Sequence, residues 1–324
     1  MESILVAGGA GFVGSHACKA LSLAGYRPVT LDNLATGHAD AVKWGPLIRA
    51  DIRDAEAVRA ALREHQITAV MHFAASSLVG ESVVKPALYY ENNVIATLRF
   101  LEALTAEGLT NIVFSSTAAV YGAAQEDPIT EASPFNPTNP YGETKRVIEG
   151  ALHWLSAAQG FSWTALRYFN AAGADEAAEI GERHDPETHL IPNMVRATLG
   201  TGPGLKVFGT DYPTPDGSAV RDYIHVTDLA EAHIAALRWQ RGGGASRAFN
   251  LGTGQGLSVL QMVAVAEQVL GKTPPHELAG RRAGDPPSLV ADPSAAQQAF
   301  GWKATRSDPQ TLIRTAAAFE RTRV

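Results

Sequence analysis

Among 324 residues there is one cysteine, Cys18. A single thiol cannot form an internal disulfide, a cysteine-based zinc site or a CxxC redox pair. No run of about 18 apolar residues occurs, so no helical membrane span is predicted. Positive charge is scarce as well: 27 Lys and Arg against 33 Asp and Glu give a formal net charge of −6. An acidic chain of this kind is a poor general ligand for nucleic acid. The five Trp are scattered and do not form a spaced base-stacking platform. Met1-Glu2-Ser3-Ile4-Leu5-Val6 has no basic region ahead of an apolar stretch, which predicts no secretory signal and a soluble cytoplasmic protein. No G-x-S-x-G elbow is present, which argues against a serine hydrolase. What is present is 45% hydrophobic and 19% charged residues, enough apolar material for a real core and too much for a disordered chain. The length predicts two domains or one large one.

Short apolar runs at Ile4–Ala7, Pro28–Leu31, Leu47–Ala50, Ala69–Phe73 and Asn111–Ser115 read as buried strands. Helical patterns lie between them at Phe12–Leu23, Ala55–Glu64 and Pro86–Ala106. In the first helix Val13, Ala17, Ala20, Leu21 and Ala24 share one face. Tyr141 to about Gln159 predicts a further helix, and Trp163–Tyr168 a sixth strand. The alternation predicts an α/β, Rossmann-like doubly wound parallel sheet with a smaller C-terminal α+β substrate domain. After Asn170 the texture changes. Ala171–Pro192 is polar and acidic, and Thr201–Val220 is rich in Gly, Pro and Asp around the short strand Leu205–Phe208. Tyr223–Trp239 reads as helix, Arg247–Leu251 as strand, Ser258–Leu270 as helix, and the last fifty or so residues as Pro-punctuated. The expected division is residues 1–170 plus about 222–250 as a nucleotide-binding domain, and about 171–221 plus 251–324 as a second, smaller domain.

Three local patterns carry chemistry. Gly8, Gly11 and Gly14 form G-x-x-G-x-x-G between the first strand and the first helix. Such a turn needs a residue free to take positive φ, and a pyrophosphate needs bare N–H groups at a helix N-terminus. The second strand ends at Asp32, 18 residues after Gly14. A carboxylate there accepts hydrogen bonds from an adenine ribose and repels a 2′-phosphate, so the expected cofactor is NAD. Tyr141-Gly142-Glu143-Thr144-Lys145 is a Y-x-x-x-K, with both side chains on one helical face. An ammonium near a phenol is expected to lower the phenol's pKa. Thr117, 24 residues earlier, lies just past the fifth strand, at the sheet edge where ligands of such folds bind.

In this order the elements form a hydroxyl–tyrosine–lysine site for hydride transfer and resemble the extended short-chain dehydrogenase/reductase superfamily. Longer segments narrow the resemblance to the UDP-glucose 4-epimerases. They include Leu31-Asp32-Asn33-Leu34, His72-Phe73-Ala74-Ala75, Tyr89-Tyr90-Glu91-Asn92-Asn93, Leu166-Arg167-Tyr168-Phe169-Asn170, Val220-Arg221-Asp222-Tyr223 and Asn250-Leu251-Gly252-Thr253-Gly254. The resemblance covers nearly the whole chain and implies Thr117, Tyr141 and Lys145 as the catalytic set. It implies NAD contacts from Gly8, Gly11, Phe12, Val13, Gly14, Asp32, Asn33, Asp51, Ile52, Phe73, Ala74, Ala75, Ser77, Asn92, Ser115, Tyr168 and Phe169. UDP-sugar contacts are implied for Asn170, His189, Leu190, Lys206, Val207, Phe208, Arg221, Arg282, Asp285 and Leu289. A homodimer through the long helices of the first domain is a family expectation. Interconversion of UDP-glucose and UDP-galactose is the implied activity. UDP-xylose/UDP-arabinose and UDP-N-acetylhexosamines fit the same motifs.

This sequence departs from the family pattern at Ser77, where many members carry lysine, at Thr117, where serine is common, and at His189, where an asparagine is frequent. Leu289 aligns with the position that gates sugar size, and leucine is neither the bulky nor the small option. A nucleotide-sugar dehydratase would need acidic residues after Thr117, where this chain has Ala118 and Ala119. A non-catalytic NAD-sensing regulator would have no use for Tyr141 and Lys145 in register. His184-Asp185-Pro186-Glu187-Thr188-His189 holds four potential metal ligands, but Pro186 breaks helical spacing and no HExxH or cysteine partner exists. It is expected to be a solvated loop with no metal. Gly271-Lys272-Thr273 ends a helix, which makes Gly271 a C-cap instead of a phosphate loop.

Overall fold

The computed structural model describes residues 1–123, 128–282 and 285–323. Six strands in chain order are β1 (Ser3–Ala7), β2 (Arg27–Asp32), β3 (Leu47–Arg49), β4 (Ile67–His72), β5 (Asn111–Thr117) and β6 (Ser162–Tyr168). With Arg247–Leu251 they make one parallel sheet in the spatial order Arg247–Leu251, β6, β5, β4, β1, β2, β3. Side chains of a strand alternate between the two faces, and β1 feeds two separate cores. Leu5 and Ala7 join Val29, Leu31, Phe100 and Phe114 on one face. Ile4 and Val6 join Ala17, Leu21, Leu229 and Phe249 on the other. The first face is covered by the helices Ala55–Glu64, Ala96–Ala106 and Pro140–Gln159, the second by Phe12–Leu23 and Val226–Arg241. Burial on both faces explains why these strands read as continuous apolar runs.

The chain moves outward from β1 through β2 to β3, then crosses back to place β4 on β1's other side. That reversal leaves a crevice beyond the carboxyl ends of β1 and β4, the position at which such sheets bind ligands. A third apolar cluster, including Ile191, Met194, Val195, Val207, Met262 and Leu312, gathers residues between Ala172 and Ala317 beside it. No helix among the described residues is long and apolar enough to cross a membrane.

Three expectations need correction. The helix predicted over Pro86–Ala106 is interrupted by a π-helical segment, Tyr90–Ile95, which carries Asn92 and Asn93. Tyr223–His225 is a short strand parallel to Asn170–Ala172, and the helix starts only at Val226. The helix Leu190–Leu199 was not foreseen. Its signal was masked by Pro192, which is tolerated in a first turn because the N–H it lacks would have no partner there. Gly271 does close the helix Val259–Leu270 in a left-handed conformation (φ 73°), and Cys18 is buried.

Candidate active site

The glycine turn is shaped by two different constraints. A Cβ on Gly8 would lie 2.5 Å from the Ala74 nitrogen, and one on Gly14 would lie 2.1 Å from the Gly8 oxygen. Both glycines are required by the protein's own packing. Gly11 is different: its nearest neighbour would be the Gly8 oxygen at 3.4 Å. It caps the helix Phe12–Leu23 with no side-chain hydrogen bond, so the first N–H groups of that helix remain available to an anion. This open cradle fits a pyrophosphate. The Asp32 carboxylate accepts from Ala10 N at 3.0 Å and Leu34 N at 2.8 Å, tying the turn to the end of β2. Beside it Asn33 Nδ2 donates to Asp51 Oδ2 at 2.9 Å. Hydrogen bonds from Arg53 outweigh burial and bring Asp51 down to about 2.

The candidate catalytic groups meet where the helix Pro140–Gln159 abuts the end of β5. Asn139 starts that helix by accepting from Gly142 N at 2.9 Å. A Cβ on Gly142 would come within 2.4 Å of the Ala119 oxygen, so glycine there allows the helix to close on the turn Ala118–Val120. The approach brings the Tyr141 hydroxyl into hydrogen bonding with Thr117. Lys145 Nζ donates to the Ser115 carbonyl at 2.8 Å and lies 5.9 Å from the centre of the Tyr141 ring. Burial raises the Tyr141 phenol and the Thr117 bond opposes it. Burial likewise lowers Lys145 from 10.5 to about 7. Nearby, the Tyr168 hydroxyl and His233 Nε2 are 2.5 Å apart, which fixes the end of β6.

At the far end of the cleft Arg221 donates to Val220 O at 2.6 Å and ion-pairs with Asp285. The Arg282 guanidinium stacks 4.1 Å from the Phe208 ring centre. Leu289 lies beside Arg221 in the parallel register of two short strands. All the residues expected to touch cofactor or substrate line one cleft of about 1500 Å³, with a single exception. Val207 is fully buried in the third cluster. Strand alternation turns Lys206 and Phe208 to the cleft and Val207 away from it. The volume exceeds the 300–1,000 Å³ or so of a single small-ligand pocket and leaves room for two nucleotides.

Several residues that organise this site were not singled out from sequence. Asn93, in the π-helical segment, accepts from Ser76 N at 2.8 Å and donates to Ser76 O and Thr144 Oγ1, each at 3.0 Å. An asparagine pair inside an apolar helical pattern was the available signal. Glu149 and Arg167 form a buried pair at 2.6 Å, with Ser116 Oγ donating to Glu149 Oε1 at 2.5 Å. Asp222 accepts from Thr253 N, Thr253 Oγ1 and Gly254 N at 2.7–3.0 Å, and from Ala291 N at 3.2 Å. In the His184–His189 stretch Asp185, Pro186 and Thr188 are exposed, as a solvated loop would have them, but the Glu187 side chain is not. The Glu182 and Glu187 side chains are only 4% and 3% exposed and face both imidazoles. Burial alone would lower the two histidines, but these carboxylates outweigh it and raise His184 to about 9 and His189 to about 10.

Residues 4–252 match the NAD dependent epimerase/dehydratase family. A UDP-glucose 4-epimerase of Halalkalibacterium halodurans is 48% identical over 311 residues, covering 96% of this chain and 93% of that protein. The crystal structure of UDP-glucose 4-epimerase from Brucella ovis in complex with NAD superposes with a TM-score of 0.96 at 48% identity, covering 98% of each chain. That of the Stenotrophomonas maltophila enzyme, with bound NAD and formylated UDP-arabinopyranose, gives a TM-score of 0.97 at 40% identity and covers 100% of this chain and 99% of that one.

Proposed function

The chain belongs to the NAD dependent epimerase/dehydratase family, and from that premise we propose that it is an enzyme interconverting UDP-glucose and UDP-galactose. The observation that carries this reading is the convergence of Thr117, Tyr141 and Lys145 in a cleft with room for two nucleotides. NAD, when bound, would supply the hydride acceptor for C4. The open Gly11 cradle and Asp32 would hold its pyrophosphate and adenine ribose. Tyr141 takes the proton of the sugar 4-hydroxyl as C4 is oxidised, and Thr117 orients that hydroxyl. Lys145 would hold the nicotinamide ribose. Arg221 and Arg282 bind the diphosphate, for which guanidinium forks are suited. The 4-keto sugar turns about its bond to the diphosphate, and Tyr141 returns the proton as the opposite face is reduced. UDP contributes the binding energy, so the sugar is held loosely enough to turn. Redox is internal and no cofactor is consumed.

Ala118 and Ala119 directly follow Thr117 in a tight turn and cannot transfer protons, which supports simple epimerisation over dehydration. Pentose and N-acetylated UDP-sugars form a second substrate set, favoured by the intermediate size of Leu289 beside Arg221. A separate apolar cluster between Ala172 and Ala317 supports the proposed two-domain division. A homodimer is proposed through the helices of residues 79–106 and 140–159, whose exposed apolar residues include Val83, Val84, Ile95 and Trp154. A cytoplasmic location accords with a lone buried thiol. The test is conversion of UDP-galactose to UDP-glucose by purified protein carrying NAD, followed by chromatography. Absence of turnover would overturn the proposal.

A further inference from the structure

Glu182, His184, Glu187 and His189 place one ligand atom each within 4.8 Å of one another, on the loop that leads into the helix Leu190–Leu199. His189 Nδ1 is 2.6 Å from Glu182 Oε1 and 3.2 Å from Glu187 Oε1. His184 Nδ1 is 3.1 and 3.7 Å from the same two oxygens. A tetrahedral ion with bonds of about 2.0–2.2 Å requires its ligands to be about 3.3–3.6 Å apart. Three of these four nitrogen–oxygen separations stand close to the edges of such a polyhedron, and the 2.6 Å contact between His189 and Glu182 must open for an ion to enter.

The second observation is unsatisfied polarity. Glu182 Oε2 and Glu187 Oε2 are buried with no hydrogen-bond partner among the described residues, and both glutamate side chains are more than nine-tenths buried. Buried polar atoms without partners are costly. Two adjacent buried carboxylates also need balancing positive charge, which either protonated imidazoles or a bound cation can supply. Arg196 Nη2 reaches Glu187 Oε2 only at 4.0 Å, and that arginine is engaged with Glu320 at 3.0 Å. One divalent cation bound by two neutral imidazoles and two carboxylates leaves the cluster neutral.

We propose that Glu182, His184, Glu187 and His189 form a structural site for a divalent transition ion of the zinc class on the wall of the same cleft, in place of the UDP-sugar contact expected of His189. The ligand set selects the metal: imidazole nitrogen with carboxylate in a four-coordinate, closed arrangement suits Zn²⁺ and not Mg²⁺ or Ca²⁺, which take six or more oxygens. The ion braces the loop. Arg183, between two ligands, pairs with Asp40 at 2.6 Å, and its carbonyl meets His38 Nε2 at 3.0 Å, both in the segment after β2. His189 caps the helix that carries Leu190 and Ile191. The site thus ties the nucleotide end of the cleft to the third core cluster. It stands whether or not the sugar specificity proposed above is right.

The test uses untagged, full-length protein carrying NAD. It is dialysed against a chelator and then equilibrated with ZnCl₂ or CoCl₂. The expected result is about one equivalent of tightly held metal, with the intense visible bands of four-coordinate Co²⁺. His184→Ala and Glu182→Gln are each expected to lower metal affinity at least about tenfold, and Zn²⁺ should raise the melting temperature of the parent but not of either variant. Less than stoichiometric metal in the parent, or Co²⁺ bands that persist unchanged in both variants, overturns the site. The cluster would then be a proton-balanced His–Glu network. If a variant fails to fold, the titration of the parent decides the question alone.

Discussion

Lys145 donates to the Ser115 carbonyl across 2.8 Å, in surroundings that include the Phe114 ring at 4.9 Å. Burial lowers this lysine from 10.5 to about 7, and the Glu149 carboxylate opposes the shift only in part. Between those two values the unfolded chain binds a proton that the folded chain does not, so folding stability rises with pH across that window. Below about 7 both states are charged and the full burial penalty is present. Lys145→Met removes the penalty. Urea denaturation at about pH 6 and about pH 9.5 should therefore show the parent gaining on the variant as pH rises. A gap between parent and variant that is the same at both pH values would refute the assignment of the buried charge.

Tyr141 and Thr117 share a hydrogen bond that opposes the effect of burial on the phenol. Tyr141→Phe keeps the ring and loses the proton carrier, so turnover of UDP-galactose is expected to fall by about 10²–10⁴. Bound NAD and the melting temperature should be near those of the parent. Thr117→Ser retains the hydroxyl and should keep most activity, whereas Thr117→Val should not. Equal activity in Thr117→Ser and Thr117→Val would remove the hydroxyl from the mechanism.

Gly11 and Gly14 separate the demands of folding from those of cofactor. A Cβ at Gly14 meets the Gly8 oxygen at 2.1 Å, whereas at Gly11 the nearest atom is 3.4 Å away. Gly14→Ala is expected to destabilise the fold or abolish soluble protein. Gly11→Ala should fold with a melting temperature within a few degrees of the parent yet carry much less NAD after purification. Absorbance and enzymatic assay of released NAD measure the second effect. A Gly11→Ala variant with full NAD content would show that the cradle is not the pyrophosphate site.

Asp222 is buried and fastens three segments by accepting from Thr253, Gly254 and Ala291. Asp222→Asn turns part of this acceptor into a donor facing N–H groups. Hydrogen bonds to a charged acceptor are worth about 1.5–3 kcal/mol each, so a loss on the order of 2 kcal/mol or more is expected. Denaturant titration reads it directly. Because Arg221 is the preceding residue, KM for the UDP-sugar should rise more than kcat falls. An unchanged denaturation midpoint would count against this role.

The sheet was legible because its strands are buried on both faces, and the glycine turn, Asp32 and the Tyr141–Lys145 pair because they are local patterns. What was hidden depends on contacts distant in sequence. Glu182 and Glu187 look like ordinary loop acids, and only the tertiary fold buries them against two imidazoles. Asp222 gives no local hint that its partners lie 31 and 69 residues away. The Tyr90–Ile95 segment lies within a helical pattern, and its π geometry is accompanied by Asn93 meeting both Ser76 and Thr144, contacts that sequence spacing does not reveal. Val207 was assigned to the cleft with its strand neighbours, although alternation within Leu205–Phe208 already assigns it to the opposite face.

Leu289 offers a direct test of sugar choice. It pairs in register with Arg221 and packs with Phe169 against the cluster of Val120, Tyr121 and Ile129, while still lining the cleft. Its side chain therefore bounds the space next to a guanidinium proposed to hold the diphosphate. Leu289→Ala enlarges that space at some cost in packing, and Leu289→Tyr fills it. One methylene in an apolar pocket shifts discrimination by about 10- to 200-fold. The kcat/KM ratio for UDP-N-acetylglucosamine over UDP-glucose should therefore rise about tenfold or more in the alanine variant. It should fall in the tyrosine variant, with UDP-glucose turnover kept in both. Coupled assays with the two sugars measure the ratio. If it does not move in either variant, the N-acetyl group does not approach Leu289, and the sugar is selected elsewhere along the cleft.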